Sequence, residues 1–311
     1  MNPSLIPCIY LLVGFALMII GADRLIKGAV DIAVKFNLSK VLIGAVLIGF
    51  GTSAPELFTS LYSASVGEGV LAAGNVIGSN IFNSTLVMGT CLLFPFILSP
   101  SEKSWQNIIL LLLPSVLILI FASDLNFSKL EGLLLLTPLP VFLYLMITQT
   151  DGDDDDMDTA GNINLVYSFL WIALGGAGLY FGSNFAIKGS LELVSILGLS
   201  KGFAGAVILA AGTGLPELVT TIVAGVKREI SLAFANIIGS NALNAFAVLG
   251  ISSALFPFNI PSNMAAFNAP ILLAVSIFGL LPLMFFTNKY FIKTWAGVLF
   301  GAYLTFTFLS I

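Results

Sequence analysis

Long apolar stretches separated by short polar segments make up most of this 311-residue chain. A helix needs roughly 18–25 apolar residues to cross a bilayer, and the stretches have about that length. They lie near residues 5–22, 41–66, 70–98, 105–123, 129–149, 163–183, 202–226, 231–257, 266–286 and 291–310. The pattern predicts an all-α polytopic membrane protein with ten transmembrane helices.

The composition agrees with this prediction and narrows the possible partners. Hydrophobic residues make up 58% of the chain and charged residues 9%, which excludes a soluble globular protein. The formal net charge is −4, and residues 151–158 alone contain six aspartates, so the acidity is local. Such a block of like charges is typical of a solvated linker, and no nucleic-acid partner is expected.

The two halves of the chain repeat each other. A shift of 161 residues places Glu56 on Glu217 and Asn83 on Asn244, and the match holds without a gap from residue 21 to residue 83. Each copy contains five predicted spans, an odd number, so the second copy should enter the membrane from the opposite side. The chain is therefore expected to form two inverted five-helix repeats, residues 1–150 and 163–311, joined by an acidic linker at 151–162.

Lysine and arginine positions predict the orientation, since acidic residues contribute little to it. With the N-terminus outside, the inside loops hold nine of these residues and the outside loops three, namely Lys129, Lys188 and Lys201. We therefore expect a multi-pass protein of the cell inner (plasma) membrane. Both termini should lie outside, and the acidic linker should be cytoplasmic.

Two glutamates stand alone within apolar spans. Glu56 is the only charged residue in 41–66, and Glu217 is the only one in 202–226. An ionised carboxylate near the middle of a bilayer costs several kcal/mol unless something pairs with it. No basic residue in a predicted span is placed to do so. Either the glutamates are protonated, or a cation that is not part of the protein lies between them.

Neutral oxygen ligands accompany each glutamate. Thr52 and Ser53 lie four and three residues before Glu56, and therefore on the same helix face. The next span carries Asn75, Ser79 and Asn83 at a spacing of four, and the second half repeats this stripe at Asn236, Ser240 and Asn244. The chain has no histidine. Hard oxygen donors favour Na⁺, Ca²⁺ or Mn²⁺ over copper or zinc.

Other small and polar residues have a structural explanation. Pro55 and Pro216 cannot donate to the carbonyl four residues back, which frees the carbonyls of Gly51 and Gly212. Small residues also let membrane helices approach closely. Packing explains several of them, namely Gly51, Gly74, Gly78, Gly239, Ser60 and Asn75, and also two series of glycines spaced by seven, Gly14, Gly21, Gly28 and Gly175, Gly182, Gly189.

The segments "GTSAPE…GNVIGSNIFN" and "GTGLPE…ANIIGSNALN" resemble the paired alpha repeats of the calcium/cation antiporter superfamily. They look most like its prokaryotic sodium/calcium exchanger branch. The resemblance covers both halves and implies ten helices, inverted repeats and alternating access, with four cation positions around the two glutamates. It implies exchange of Na⁺ for Ca²⁺ by a secondary transporter, which is not an enzyme.

The resemblance also implies ligands for each ion. Ca²⁺ would bind Glu56, Glu217, Thr52 and Thr213. An inward Na⁺ site would use Ser53, Ser79, Thr52, Glu56 and the carbonyl of Gly49. An outward Na⁺ site would use Thr213, Ser240, Glu217 and the carbonyl of Ala210. The middle position would use Asn83 and Asn244. The bilayer and the two ions are the expected partners, without a cofactor or a nucleotide, and the protein is expected to work as a monomer.

Two departures from the family pattern keep alternatives open. The family commonly has serine where this chain has Gly214, and aspartate at one of the two middle positions, where this chain has Asn83 and Asn244. An H⁺-coupled cation antiporter of the same superfamily is the first alternative. A cation channel with the paired acids as a selectivity ring is a less favoured one.

Overall fold

The computed structural model of the chain describes residues 5–36, 38–94, 105–148, 163–196, 210–285 and 289–309, and these are mostly helical. The predicted linker at 151–162 lies outside these residues. The first half contains α1 (Leu5–Phe36), α2 (40–65), α3 (Gly69–Leu93), α4 (Trp105–Phe121) and α5 (Lys129–Thr148). The second half contains α6 (Leu165–Ile196), α7 (Ala210–Val226), α8 (Ile230–Leu255), α9 (264–285) and α10 (Lys289–Leu309).

Seven helices of the described residues are long and apolar enough to cross a membrane by length and composition, namely α1, α3, α5, α6, α8, α9 and α10. The remaining three are α2, α4 and α7. The apolar helical segments that correspond to α4 and α7 are shorter, at Ile108–Asp124 and Gly212–Val226. A multi-pass helical membrane protein follows from these helices, and the arrangement of ten spans stays a prediction.

The first and sixth helices are longer than the apolar pattern predicted. α1 continues to Phe36 and α6 to Ile196, whereas the predicted spans end at 22 and 183. The apolar run ends where charged residues such as Asp23 begin, but a helix continues as long as its backbone bonds are unbroken. Residues 23–36 contain no proline, so nothing in them stops the helix.

Cation–π contacts mark two levels along the α1–α6 pair. The Lys188 ammonium lies 4.5 Å from the centre of the Tyr10 ring, and the Lys27 ammonium 5.9 Å from that of Trp171. The shift of 161 residues maps Tyr10 onto Trp171 and Lys27 onto Lys188, so the two contacts are equivalent in the two halves. Tyr10 and Lys27 are 17 residues apart on α1. That distance is about 26 Å along a helix, close to the ~30 Å of a bilayer core. The two levels therefore fit the two membrane surfaces.

Glycines bring α1 and α6 into direct backbone contact. A Cβ atom on Gly14 would lie 2.7 Å from the Gly182 carbonyl oxygen, and one on Gly21 would lie 2.8 Å from that of Gly175. Contacts that advance along α1 go backwards along α6, so the two helices are antiparallel. The repeat shift maps Gly14 onto Gly175 and Gly21 onto Gly182. The prediction of close helix contact at these glycines is confirmed.

α3 and α8 lie inside the bundle. In the most apolar window of each helix, 78% of the residues of α3 and 94% of those of α8 are buried, against 28% for α1 and 22% for α6. α3 and α8 also contain π-helical turns, which begin at Asn83 and Asn244. Such turns occur frequently at functional sites. The most buried helices are therefore the ones that carry the predicted Asn–Ser stripes.

A small contact joins the two halves at one end of the bundle. The two-residue strands β1 (Asn126–Phe127) and β2 (Phe258–Asn259) pair antiparallel, and Asn126 Nδ2 donates to Asn259 Oδ1 at 2.6 Å. Ser128 then begins α5 with a capping box. Its hydroxyl accepts from the Glu131 amide, and the Glu131 carboxylate accepts from the Ser128 amide. The loop after α4 is thereby held against the second half.

Candidate functional site

The two isolated glutamates meet in the centre of the molecule. Glu56 on α2 and Glu217 on α7 are both 0% exposed, and they are close enough to interact electrostatically. Neither oxygen of Glu56 has a hydrogen-bond partner among the described residues, and Oε2 of Glu217 has none either. Two carboxylates buried in this way repel each other, so a cation between them would stabilise both.

Hydroxyl groups make contacts between the two halves of the site. Ser53 donates to Glu217 Oε1 at 3.3 Å. The Thr52 and Ser240 hydroxyl oxygens lie 3.2 Å apart, and the repeat counterparts Thr213 and Ser79 are also 3.2 Å apart. The repeat shift exchanges these two hydroxyl pairs. The site therefore has an approximate two-fold symmetry.

Hydrogen bonds in the site cross between the repeats. Ser53 of the first half donates to Glu217, and the hydroxyls of Thr52 and Ser240 pair with each other, whereas the inward Na⁺ site implied by the resemblance groups Ser53 and Thr52 with Glu56 and Ser79. The assignment of ligands to individual ions stays a prediction. The residues of α2 reach those of the second half because α2 packs against both α7 and α8, so ligands are shared across the repeats.

The Thr52 hydroxyl has more oxygen neighbours than it can donate to. Its one proton has two acceptors, the Gly49 carbonyl at 3.2 Å and Asn236 Oδ1 at 3.3 Å, and Ser240 Oγ at 3.2 Å can either accept or donate. At least one acceptor lone pair is therefore left without the Thr52 proton. A cation can use such lone pairs, and hard cations are bound by oxygen atoms.

The carbonyl freed by Pro216 has a partner. Ser183 of α6 donates its hydroxyl to the Gly212 carbonyl at 2.8 Å. The repeat counterpart of Ser183 is Ala22, which has no hydroxyl, so the carbonyl of Gly51 lacks the equivalent donor. The two halves are thus supported differently. Ala210, the other predicted carbonyl ligand, is the first residue of α7, and the residues immediately before it lie outside the described part of the chain.

The asparagines of α3 and α8 fall into two groups. Asn75 donates to Ser60 Oγ at 2.9 Å and holds α3 against α2, which supports a packing role. Asn83 and Asn244 are fully buried. Neither polar atom of the Asn83 side chain has a partner among the described residues, whereas Asn244 Nδ2 donates to Asn80 Oδ1 at 3.1 Å. The Oδ1 atoms of Asn83 and Asn244 therefore have no hydrogen-bond donor among the described residues and could bind a cation.

Two further asparagines were missed by the sequence analysis. Asn80 Nδ2 donates to the Asn241 carbonyl at 3.2 Å, and Asn241 Nδ2 donates to Ser84 at 3.1 Å. Asn80 and Asn241 are counterparts under the repeat shift, so their contact joins equivalent positions of the two halves. Both asparagines are the third residue of the repeated Gly-Ser-Asn motif, and this repetition could have indicated them. Each lies one position after the serine of the predicted stripe, and therefore on a different face of its helix.

The ligand set is one of oxygen atoms. No group of three or more His, Cys, Asp or Glu side chains that could hold a metal ion occurs in the described part of the chain. A divalent cation at the centre would therefore use the two carboxylates together with hydroxyl, amide and carbonyl oxygens. Two glutamates neutralise one divalent ion, and Ca²⁺ accepts about six to eight such ligands in a flexible geometry.

These features define a helical membrane protein whose two halves enclose one buried cluster of oxygen atoms around two carboxylates, the arrangement of a secondary transporter. The family model described as "Sodium/calcium exchanger protein" matches residues 6–148 and 167–311. The chain belongs to the sodium/calcium exchanger family.

Similar proteins cover nearly the whole chain. CaxA of Alkalimonas amylolytica is 34% identical over 88% of each chain. The sodium/calcium exchanger MaX1 of Methanosarcina acetivorans is 27% identical over 93% of each chain. A structure of the sodium-calcium exchanger NCX_Mj, soaked with 2.5 mM Na⁺ and 0.1 mM Sr²⁺, has a TM-score of 0.82 and 25% identity over 97% of this chain and 98% of that chain.

Asn244→Asp should change cation selectivity. The substitution replaces the amide that donates to Asn80 by a third carboxylate, and Asn244 Oδ1 has no partner among the described residues. We expect a severalfold shift in the ratio of Ca²⁺ to Na⁺ affinity, together with a new dependence of that ratio on pH. Titration of both ions on the purified protein, from mildly acidic to mildly alkaline pH, measures this. Asn164→Asp is the control, because Asn164 is exposed, lies outside the site, and uses its side-chain oxygen to accept from the Val166 amide, as aspartate also can. An unchanged ratio at every pH would place Asn244 outside the site.

Proposed function

We propose that the protein is a secondary antiporter that exchanges Na⁺ for Ca²⁺ across the membrane. The observation that carries the proposal is the pair of buried carboxylates, Glu56 and Glu217, whose oxygens largely lack partners among the described residues. Membership of the sodium/calcium exchanger family supports it, as do MaX1 and NCX_Mj, which are named for sodium and calcium exchange. Because both ions use the same carboxylates, binding of one displaces the other, and this competition is the basis of exchange.

The proposed ligands follow the contacts. Ca²⁺ binds Glu56 and Glu217 with Thr52 and Thr213. One Na⁺ position uses Glu217 with Thr52, Ser53, Ser240 and the carbonyl of Gly49, and the other uses Glu56 with Ser79, Thr213 and the carbonyl of Ala210. The middle position lies at Asn83 and Asn244. The assignment is supported by the 3.2–3.3 Å contacts of Ser53 with Glu217, Thr52 with Ser240, and Ser79 with Thr213.

The proposed architecture is ten transmembrane helices in two inverted repeats, residues 1–150 and 163–311, with the acidic linker 151–162 in the cytoplasm. The protein would be a monomer of the cell inner (plasma) membrane with both termini outside. The antiparallel α1–α6 pair supports the inversion, since these helices are repeat counterparts. So do the contacts that the repeat shift exchanges, such as those of Gly14 with Gly182 and Gly21 with Gly175.

Alternating access is proposed to come from α1 and α6, with residues 1–40 and 163–201 moving as one unit against the rest. Their glycine contacts make the pair a close unit. The Lys227–Asp23 ion pair, with a 2.6 Å N–O distance, links this unit to the loop after α7. Movement of the pair along the bundle would expose the central site to one side at a time.

Uptake of ⁴⁵Ca²⁺ into proteoliposomes tests the coupling ion. Vesicles loaded with Na⁺ are compared with vesicles loaded with choline and with vesicles that carry only a pH gradient, and vesicles with the Glu56→Gln variant provide the blank. We expect Na⁺-loaded vesicles to accumulate at least about ten times the Ca²⁺ of choline-loaded ones, since the Na⁺ gradient drives the exchange.

The same experiment separates the alternatives. Uptake driven by the pH gradient alone would identify the H⁺-coupled antiporter, in which the two glutamates carry protons. Ca²⁺ entry without any gradient of a second ion, together with bilayer conductance far above carrier turnover, would identify a channel. Either result would overturn the proposal of Na⁺/Ca²⁺ exchange.

A further inference from the structure

The two halves of the site differ at one pair of neighbouring positions. Ser53 in the first half corresponds to Gly214 in the second, and Phe82 in the first half corresponds to Leu243 in the second. Where the first half has a hydroxyl beside a carboxylate, the second half has no side chain. The rest of the oxygen site obeys the repeat at most positions, so this difference has a local cause.

The missing hydroxyl leaves the two carboxylates unequal. Glu217 Oε1 accepts a hydrogen bond from the Ser53 hydroxyl at 3.3 Å. Neither Glu56 oxygen is hydrogen-bonded to any described residue. Among the described residues, Glu217 therefore has a hydrogen-bonding hydroxyl that Glu56 lacks.

The ring of Phe82 occupies the volume that a side chain at position 214 would need. A Cβ atom placed on Gly214 would collide with Phe82 Cδ1 and would lie 2.7 Å from its Cε1 and 3.0 Å from its Cγ. The ring itself is confined, since Phe82 is 1% exposed and lies edge-on to Tyr303 with the ring centres 5.4 Å apart. A buried ring in such a setting moves only if its neighbours move as well.

We propose that Phe82 determines the cation specificity of this exchanger by excluding a hydroxyl ligand from position 214. Phe82 and Gly214 act as one unit: the glycine admits the ring, and the ring prevents a serine from supplying an oxygen to the cation held by Glu56. The Glu56 side therefore binds Na⁺ more weakly than the Glu217 side. The proposal rests on the Na⁺/Ca²⁺ exchange proposed above and deepens it.

The test transplants the first-half arrangement into the second half. Four proteins are compared with the wild type: Gly214→Ser, Phe82→Leu, Phe82→Leu/Gly214→Ser and Phe82→Leu/Gly214→Ala. The last variant has the same space and the same Cβ atom as the serine double variant but no hydroxyl, so it is the matched control. Folding is checked for each by size-exclusion chromatography in detergent.

Equilibrium binding of ⁴⁵Ca²⁺ to the purified proteins is measured as Na⁺ is added, with Ca²⁺ held at the dissociation constant of each variant. We expect the Na⁺ concentration that halves bound Ca²⁺ to fall roughly tenfold in Phe82→Leu/Gly214→Ser, about the worth of one added oxygen contact to a charge. Its Hill coefficient for Na⁺ should rise. Phe82→Leu/Gly214→Ala should remain within about twofold of the wild type, because it adds no ligand.

Each outcome decides the proposal. Equal Na⁺ competition in the serine and alanine double variants would overturn it, because position 214 would then not face the cation. The same gain in Gly214→Ser alone would overturn the role of Phe82. Misfolding of Gly214→Ser alone, rescued by Phe82→Leu, would support the steric part.

A second variant covers the case in which the double variant does not fold. Ser53→Gly removes the hydroxyl at Glu217, so it should raise the half-displacing Na⁺ concentration by roughly tenfold, and no change would overturn the proposal. Failure of the underlying exchange function has a separate signature. In that case the wild type itself would bind no Ca²⁺ that Na⁺ displaces.

Discussion

Glu56→Gln and Glu217→Gln should each abolish Na⁺-dependent Ca²⁺ uptake while leaving the protein folded. Both side chains are 0% exposed, and a cation held between them would lose half of its compensating charge. Breaking one side of a buried charge pair costs about 3–5 kcal/mol, which is at least a hundredfold in binding. The fold should tolerate the change, because glutamine has the same shape and removes a buried charge. Its Oε1 can still accept from Ser53 at position 217.

Two measurements on the same variants check this result. Transport is measured in proteoliposomes, and the midpoint of thermal denaturation is measured in detergent. Glu68→Gln is the matched control, because Glu68 is an exposed glutamate between α2 and α3, outside the site. Its transport should equal that of the wild type. Full transport in either Glu56→Gln or Glu217→Gln would contradict the site, and a large loss of thermal stability would contradict the argument that the charge is not needed for folding.

Gly239→Ala should prevent correct assembly of the centre. A Cβ atom on Gly239 in α8 would collide with the carbonyl group of Ala45, which belongs to the π-helical turn Ile43–Ile48 of α2. Backbone atoms cannot move aside as the end of a flexible side chain does. We expect destabilisation of about 3 kcal/mol or more, at the upper end of overpacking effects. Ser240 is the next residue, so the ligands contributed by α8 would shift too.

α10 supplies a control for this prediction. Gly297 is exposed, and a Cβ atom there would meet no atom of the described residues within 4 Å. Gly297→Ala should therefore fold normally, and the better helix propensity of alanine should slightly stabilise it. Fluorescence-detected size-exclusion chromatography after heating compares the two variants. Equal behaviour of Gly239→Ala and Gly297→Ala would show that the close contact between α8 and α2 is not required.

Gly239 and its repeat counterpart Gly78 show where prediction from the sequence stopped. Both are assigned to helix packing, because each occupies a small-residue position in a membrane helix. The assignment is confirmed for Gly239 by its contact with Ala45. For Gly78 it stays a prediction, because residue 206, the repeat counterpart of Ala45, lies outside the described residues. Spacing along one helix cannot name the partner of a glycine, since that depends on which neighbouring helix faces it.

The ligands show the same limit. Helical spacing correctly placed Thr52, Ser53 and Glu56 on one face, because residues three and four apart are neighbours on any helix. The same spacing could not show that Ser53 contacts Glu217, more than 160 residues away. The contact of Asn80 with Asn241 was missed for the same reason, since it is made between the two halves.

The sequence by itself determined the membrane class, the repeat and the two carboxylates, because these depend on local hydropathy, on a fixed shift along the chain and on the cost of a charge in an apolar span. Tertiary structure alone decided which oxygens meet and how the halves differ. The collision between Phe82 and position 214 and the contact of Ser53 with Glu217 arise from helices that cross. Such contacts depend on the packing of distant segments, which leaves no periodic trace in either segment.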